Sequence, residues 1–163
     1  MPDLSLGIDF GTTNTVLALA DERGVAHLAR FDAPEGELFA FRSAISFHAP
    51  ADRPSDRTVE AGPWAIEAYV EDPLETRFIQ SFKSFAASES FTETQILGRR
   101  YRFEDLLSAF LLKLRDHGGA ALADLPRRVI VGRPVVFAGA SPSEDLALKR
   151  YEAAFERLGS TEI

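Results

Sequence analysis

Apolar and smaller or polar residues alternate through Leu4, Leu6, Ile8 and Phe10, and the apolar run Val16-Leu17-Ala18-Leu19-Ala20 follows a short polar stretch. A period of two on both sides of a turn predicts that the chain opens with a β-hairpin. Asp21-Glu22-Arg23-Gly24 then turns it into a third strand, Val25 to Phe31. From Asp32 to about Arg57, Pro34, Gly36, Pro50 and Pro54 predict loops, interrupted by one short strand over Ala44 to His48. Pro63 suits a first helical turn, and Trp64, Ile66 and Tyr69 supply the apolar side of a helix to Val70. Thr92 to Leu97 and Arg100 to Phe103 flank Gly98-Arg99 as a second hairpin. Leu106, Leu107, Phe110, Leu111 and Leu114 recur at helical spacing, with Gly118-Gly119 placed for a left-handed cap. Arg128 to Val131 reads as a buried strand. A final helix has a capping box, Ser141-Pro142-Ser143-Glu144, the apolar face Ala147, Tyr151, Ala154, Phe155 and Leu158, and Gly159 as its stop. The order of elements is α/β with an antiparallel start.

Composition narrows the function classes. The chain has 163 residues, 18 Lys plus Arg against 25 Asp plus Glu, and a net charge of -7, which disfavours wrapping nucleic acid or an acidic membrane while leaving room for a single nucleotide. With no cysteine there is no disulfide framework, thiolate metal site or thiol nucleophile. His27, His48 and His117 are far apart and have no ligand spacing, so metal binding through them is not expected. The start has neither a basic n-region nor an apolar h-region, and no stretch approaches the ~20 apolar residues that span a bilayer. The expectation is a soluble cytoplasmic protein.

The chemistry concentrates in Asp9-Phe10-Gly11-Thr12-Thr13-Asn14-Thr15. Gly11 permits a tight turn, and the small residues after it leave amide N–H groups uncovered, so the loop can form a concave nest for an anion such as phosphate. It is not the strand-to-helix phosphate loop, because it leads into a strand and has no Gly-Lys-Ser/Thr. Asp9, at the strand end, suits a hydrated magnesium ion, which keeps most of its waters. The other reading is an ordinary hairpin turn in which Asp and Asn serve turn propensity.

Gly7-Ile8-Asp9-Phe10-Gly11-Thr12-Thr13-Asn14-Thr15 resembles the first phosphate loop of the actin-like ATPase superfamily, which includes the seventy-kilodalton heat-shock chaperones, actin and many sugar kinases. Phe78-Ile79-Gln80-Ser81-Phe82-Lys83-Ser84-Phe85 falls where the chaperones carry a lysine that reaches the terminal phosphate. Val129 to Phe137 resembles the family's strand ending in Pro-Ala-x-Phe. The wording of Ser-Phe-Lys-Ser-Phe and Gly-Arg-Pro-Val is most similar to a bacterial branch of chaperone-like proteins that have the ATPase part and lack the usual peptide-binding domain. The resemblance implies an actin-like, ribonuclease-H-like ATPase lobe: a mixed sheet with flanking helices plus a small inserted α/β subdomain. Residues 1–31 and 125–163 would form the core subdomain, and 32–124 the insertion and connecting helix. It implies ATP or ADP and magnesium as cofactors. Asp9 would order the magnesium waters, while Gly11, Thr12, Thr13, Asn14 and Thr15 hold phosphate. Lys83 would stabilise charge on the transferred phosphoryl group. Read without the family, Lys83 is a solvated lysine on a helix whose apolar face is Phe78, Phe82 and Phe85.

Two departures shape the expectation. The position of the helix arginine that works with the strand-end proline appears here as Pro142, so a relay through Pro134 rests on Arg133 as substitute, and Pro134 also reads as a plain strand terminator. No second Asp-x-Gly-Gly-Gly loop occurs, so the expectation is the N-terminal part of such an ATPase, inactive alone, with exposed surfaces that favour self-association. Unfolded protein clients or co-chaperones are the implied partners. Two alternatives stand beside the chaperone ATPase: the first lobe of a sugar or small-molecule kinase, and a non-catalytic interaction module.

Overall fold

Leu6, Ile8 and Phe10 are buried on one side of β1 (Ser5–Phe10), while Gly7 and Asp9 project from the other. The computed structural model describes residues 5–123, 128–132 and 141–159. Strand β1 pairs antiparallel with β2 (Asn14–Ala20), from Ser5 opposite Ala20 to Phe10 opposite Thr15, which is the opening hairpin that the alternation predicts. On its other edge β1 pairs in parallel with β12 (Arg128–Gly132), placing Asp9 beside Gly132. With β3 (Ala26–Leu28) and β6 (Phe41–Arg42) both on β2, this makes a five-stranded mixed sheet.

The stretch from Val25 to Phe31 is not one strand. Ala29 donates its amide to Leu17 O at 2.9 Å, the chain leaves the sheet, and Phe31 starts β4 (Phe31–Ala33), which pairs with β5 (Gly36–Leu38) as a separate hairpin. The reason is burial: Val25 and Leu28 are exposed, whereas Phe31 is fully buried at 4.9 Å from the Phe41 ring. Residues 32–57 therefore hold more strand than their prolines suggest. Strand β7 (Ala44–His48) lies where the sequence places it and is the centre of a second, antiparallel sheet, between β8 (Thr58–Ala61) and β9 (Thr76–Gln80).

Helix α1 (Gly62–Glu71) begins with Pro63 in its first turn. Gly62 has φ +64°, and a Cβ there would collide with the Phe41 ring, so both the backbone and the packing require glycine. Hairpin β10 (Thr94–Ile96) and β11 (Arg99–Tyr101) turns at Leu97-Gly98, one residue earlier than Gly98-Arg99, with φ +48° and +79°. Helix α2 (Phe103–His117) buries Leu106, Leu107, Phe110, Leu111 and Leu114, the residues its period picks out. Its C-cap Gly118 stays right-handed at φ -77°, and the left-handed residue is Gly119, leading into α3 (Ala120–Ala123).

Strand β12 is buried on one face only: Val129 is in the core and Ile130 is 57% exposed. Helix α4 (Glu144–Glu156) is capped by Ser143, whose Oγ accepts the Leu146 amide at 3.3 Å, so the cap is two residues later than Ser141. Its Ala147, Tyr151, Ala154 and Phe155 are buried as its pattern predicts, and Leu158 is half-buried. One hydrophobic core runs through all of this, taking residues from β1, β7, α2 and α4 alike. Pro134, Arg133 and Ser160 to Ile163 lie outside the described residues.

Candidate functional site

Where β1 ends, Gly11 donates its amide to Asn14 O at 3.0 Å and closes the loop. A Cβ at residue 11 would fall inside van der Waals distance of that same carbonyl oxygen, so the turn admits only glycine. Thr12, Thr13 and Asn14 are exposed, and among the described residues the Thr12 and Thr13 amides donate to no acceptor. Thr13 O accepts the Ser43 amide at 2.8 Å, which anchors the loop from behind. Thr15 faces inward: it is fully buried and its hydroxyl lies 2.9 Å from Ser43 Oγ. Its contribution is to hold β2 against the β6–β7 link, and it is turned away from the exposed side of the loop.

Asp9 and Gly132 are register partners at the carboxyl ends of two parallel strands. In open α/β sheets the space beyond such ends is where ligands are bound. Asp9 is exposed, and its Oδ1 would be in ordinary van der Waals contact, 3.5 Å, with a Cβ on Gly132.

Lys83 reaches this loop from 73 residues away and donates its Nζ to Phe10 O. Its ammonium also lies 5.6 Å from the centroid of the Phe10 ring, within the reach of a cation–π attraction. Burial lowers the Lys83 pKa from its ordinary value, and the Asp9 carboxylate opposes that shift. Lys83 does not belong to a helix with Phe78, Phe82 and Phe85. Phe78 is in β9, where strand pairing with β7 fixes it, and only Phe82–Phe85 form a short 3-10 turn.

The entry to that turn is backbone-strained. Ser81 has φ +58°, a left-handed conformation uncommon for serine, and its carbonyl accepts the Ser84 hydroxyl at 2.8 Å. Phe82 then plunges between Phe10 and Phe110, with ring centroids 5.5 and 5.8 Å away. With Phe82 buried in the core, the backbone of its neighbour Lys83 is held beside the end of β1, within reach of Phe10. The far side of the turn is held by Arg150 on α4. Its guanidinium donates to Phe85 O at 2.8 Å, Ala86 O at 2.9 Å, Ser88 O at 3.1 Å and Phe91 O. The Ser143 amide adds a bond to Ala87 O at 2.9 Å.

The structure thus brings Asp9, Gly11, Thr12, Thr13, Asn14 and Lys83 to one edge, and leaves Thr15 behind it. Ser81, Gly132 and Arg150 also shape that edge: Gly132 and Arg150 carry no sequence signal of their own, because their partners lie far along the chain, and the left-handed conformation of Ser81 is not marked by its residue type. Chemically the edge offers two uncovered amides and one ammonium for an anion, next to one carboxylate suited to a hydrated cation. A cleft of about 540 Å³ lies beside α2 and α4, where Arg102, Glu104, Lys149 and Arg150 are among the lining residues. Among the described residues no helix is long and apolar enough to cross a membrane. No family model matches the chain.

Proposed function

We propose that this chain supplies the first phosphate-binding lobe of an actin-like-superfamily ATPase of the heat-shock chaperone type. The observation that carries the reading is the meeting of Lys83 with Phe10 O, at the residue that leads into the Gly11–Asn14 loop, since a structural turn needs no ammonium beside it. On this reading the Thr12 and Thr13 amides and hydroxyls hold phosphate oxygens, and the Lys83 ammonium swings from Phe10 O to the phosphoryl group. The ammonium is drawn more strongly to an anionic oxygen than to a neutral carbonyl, because opposite charges then face each other, which favours the swing. The residues present fit a magnesium ion: Asp9 is an exposed carboxylate near the end of β1, of the kind that holds a hydrated ion through its waters. Magnesium, when bound through water to Asp9, supplies charge neutralisation of the phosphates. The chain's own residues orient the phosphates and place positive charge, which is where phosphoryl-transfer sites gain most of their rate.

The test is the melting temperature with and without millimolar magnesium-ATP, repeated in Asp9→Ala and Lys83→Ala. A ligand at one hundred times its Kd adds about 2.7 kcal/mol, a clear upward shift for a domain of this size. The expected outcome is a shift in the wild type that both variants reduce. A wild-type shift unchanged in both variants refutes the loop as the nucleotide site.

A further inference from the structure

His48, Asp72 and Glu75 come together on the side of the second sheet, apart from the Asp9–Lys83 edge. His48 is the last residue of β7, Asp72 caps the C-terminus of α1, and Glu75 enters β9. His48 Nε2 lies 3.2 Å from Asp72 Oδ2 and 3.9 Å from Glu75 Oε2. The three donor atoms are all within 4.8 Å of one another. Nitrogen and oxygen ligands at the ~2.0–2.2 Å of a zinc-class ion stand roughly 3.3 Å apart, so only a small rotation of Glu75 completes three ligands.

The second oxygen of each carboxylate is already engaged. Asp72 Oδ1 accepts the Glu75 amide at 3.3 Å, and Glu75 Oε1 accepts the Ala51 amide at 2.9 Å. These bonds hold the carboxylates with Asp72 Oδ2 and Glu75 Oε2 turned toward the imidazole, the kind of outer support that metal ligands receive. The charge is unbalanced as well. Two carboxylates face one imidazole, and among the described residues neither is in an ion pair with a lysine or arginine. Even a protonated His48 leaves a net negative charge, which a divalent cation would neutralise. The side chains are 26%, 40% and 33% exposed, so water can reach the remaining coordination positions.

We propose that His48, Asp72 and Glu75 form a site for a zinc-class divalent cation that ties the end of α1 to β7 and β9. The mixed imidazole and carboxylate set favours zinc over magnesium, which prefers oxygen alone. The site is independent of nucleotide binding.

The experiment is titration of the metal-stripped full chain with zinc chloride and, separately, magnesium chloride, followed by calorimetry and by the ring-nitrogen NMR shifts of His48. The expected result is saturable one-to-one zinc binding that shifts the His48 Nε2 resonance and is lost in His48→Gln. Magnesium competes poorly. Should His48→Gln fail to fold, the half-exposed pair Asp72→Asn with Glu75→Gln tests the same ligands and is expected to abolish the Nε2 shift. Zinc binding that persists in these variants, a shift confined to His27 or His117, magnesium displacing zinc at equal concentration, or no zinc binding at all overturns the proposal.

Discussion

Lys83 is the residue whose environment makes the sharpest demand. Its ammonium is half-buried against Phe10, and desolvation lowers its pKa below the ordinary 10.5. In the unfolded chain the proton is held to higher pH than in the folded one. Between the lowered value and 10.5 the unfolded state therefore binds more protons, and stability contributed by this group rises with pH across that window. The expected outcome is that Lys83→Met, whose side chain has no proton to lose, flattens this rise; urea midpoints of both proteins from neutral pH to 10.5 check it. A steeper rise in the variant than in the wild type is the contrary result. At this scale the turn from Asp9 to Asn14 is legible, because its residues are consecutive and Gly11 closes it. Thr15 is where adjacency misleads: strand pleating sends it to the core, where Ser43 meets it.

At the scale of elements, the turn that presents Lys83 is built by others. Ser81 supplies a left-handed entry, Phe82 the anchor, and Arg150 a fork over four carbonyls. Hydrogen bonds to a charged group are each worth about 1.5–3 kcal/mol, though partial exposure and sharing of one guanidinium keep the total near that of a single such bond. Arg150→Ala is expected to cost about 1.5–3 kcal/mol in chemical unfolding and to speed amide exchange from Phe85 to Phe91. Arg150→Lys is expected to recover little, since one ammonium cannot replace a planar fork. Periodicity made α2, α4, β1, β2 and β7 readable, as each carries its burial pattern in its own residues. For α1 it gave the helix but the wrong face: Ile66 and Tyr69 are 40% and 41% exposed, and the buried residues are Gly62 and Ala65. It failed for Val25 to Phe31, where a run of plausible strand residues is divided by the deep burial of Phe31. It failed again at Phe78, because aromatic spacing alone does not separate a strand leading into a 3-10 turn from a helix. Nor does histidine spacing anticipate Asp72 and Glu75 as neighbours of His48, since helix α1 and the turn after it intervene.

For the whole molecule, the decisive fact is that the two sheets share one core. Phe10 and Phe41 of the five-stranded sheet both pack on Phe110 of α2, at 5.6 and 5.7 Å, and Ile45 and Phe47 of the second sheet belong to the same buried cluster. Arg157 of the C-terminal end reaches Asp105 near the start of α2 at 2.7 Å, closing α4 onto α2. Separate melting of the segment 32–124 would tear this core open. The expected outcome is a single cooperative transition in which far-UV and near-UV circular dichroism coincide, as small one-core domains show. Two resolved transitions would mean that the sheets are energetically separate.

Trp64, the chain's one tryptophan, is stacked on His117 with ring centroids 3.6 Å apart and planes 6° from parallel. That pair joins the first turn of α1 to the last turn of α2, so the surroundings of the indole report on that contact. Trp64 emission should therefore change whenever α1 lifts from α2. Because Asp72 stands at the opposite end of the same helix, a cation that fixes that end has an optical readout already built into the fold.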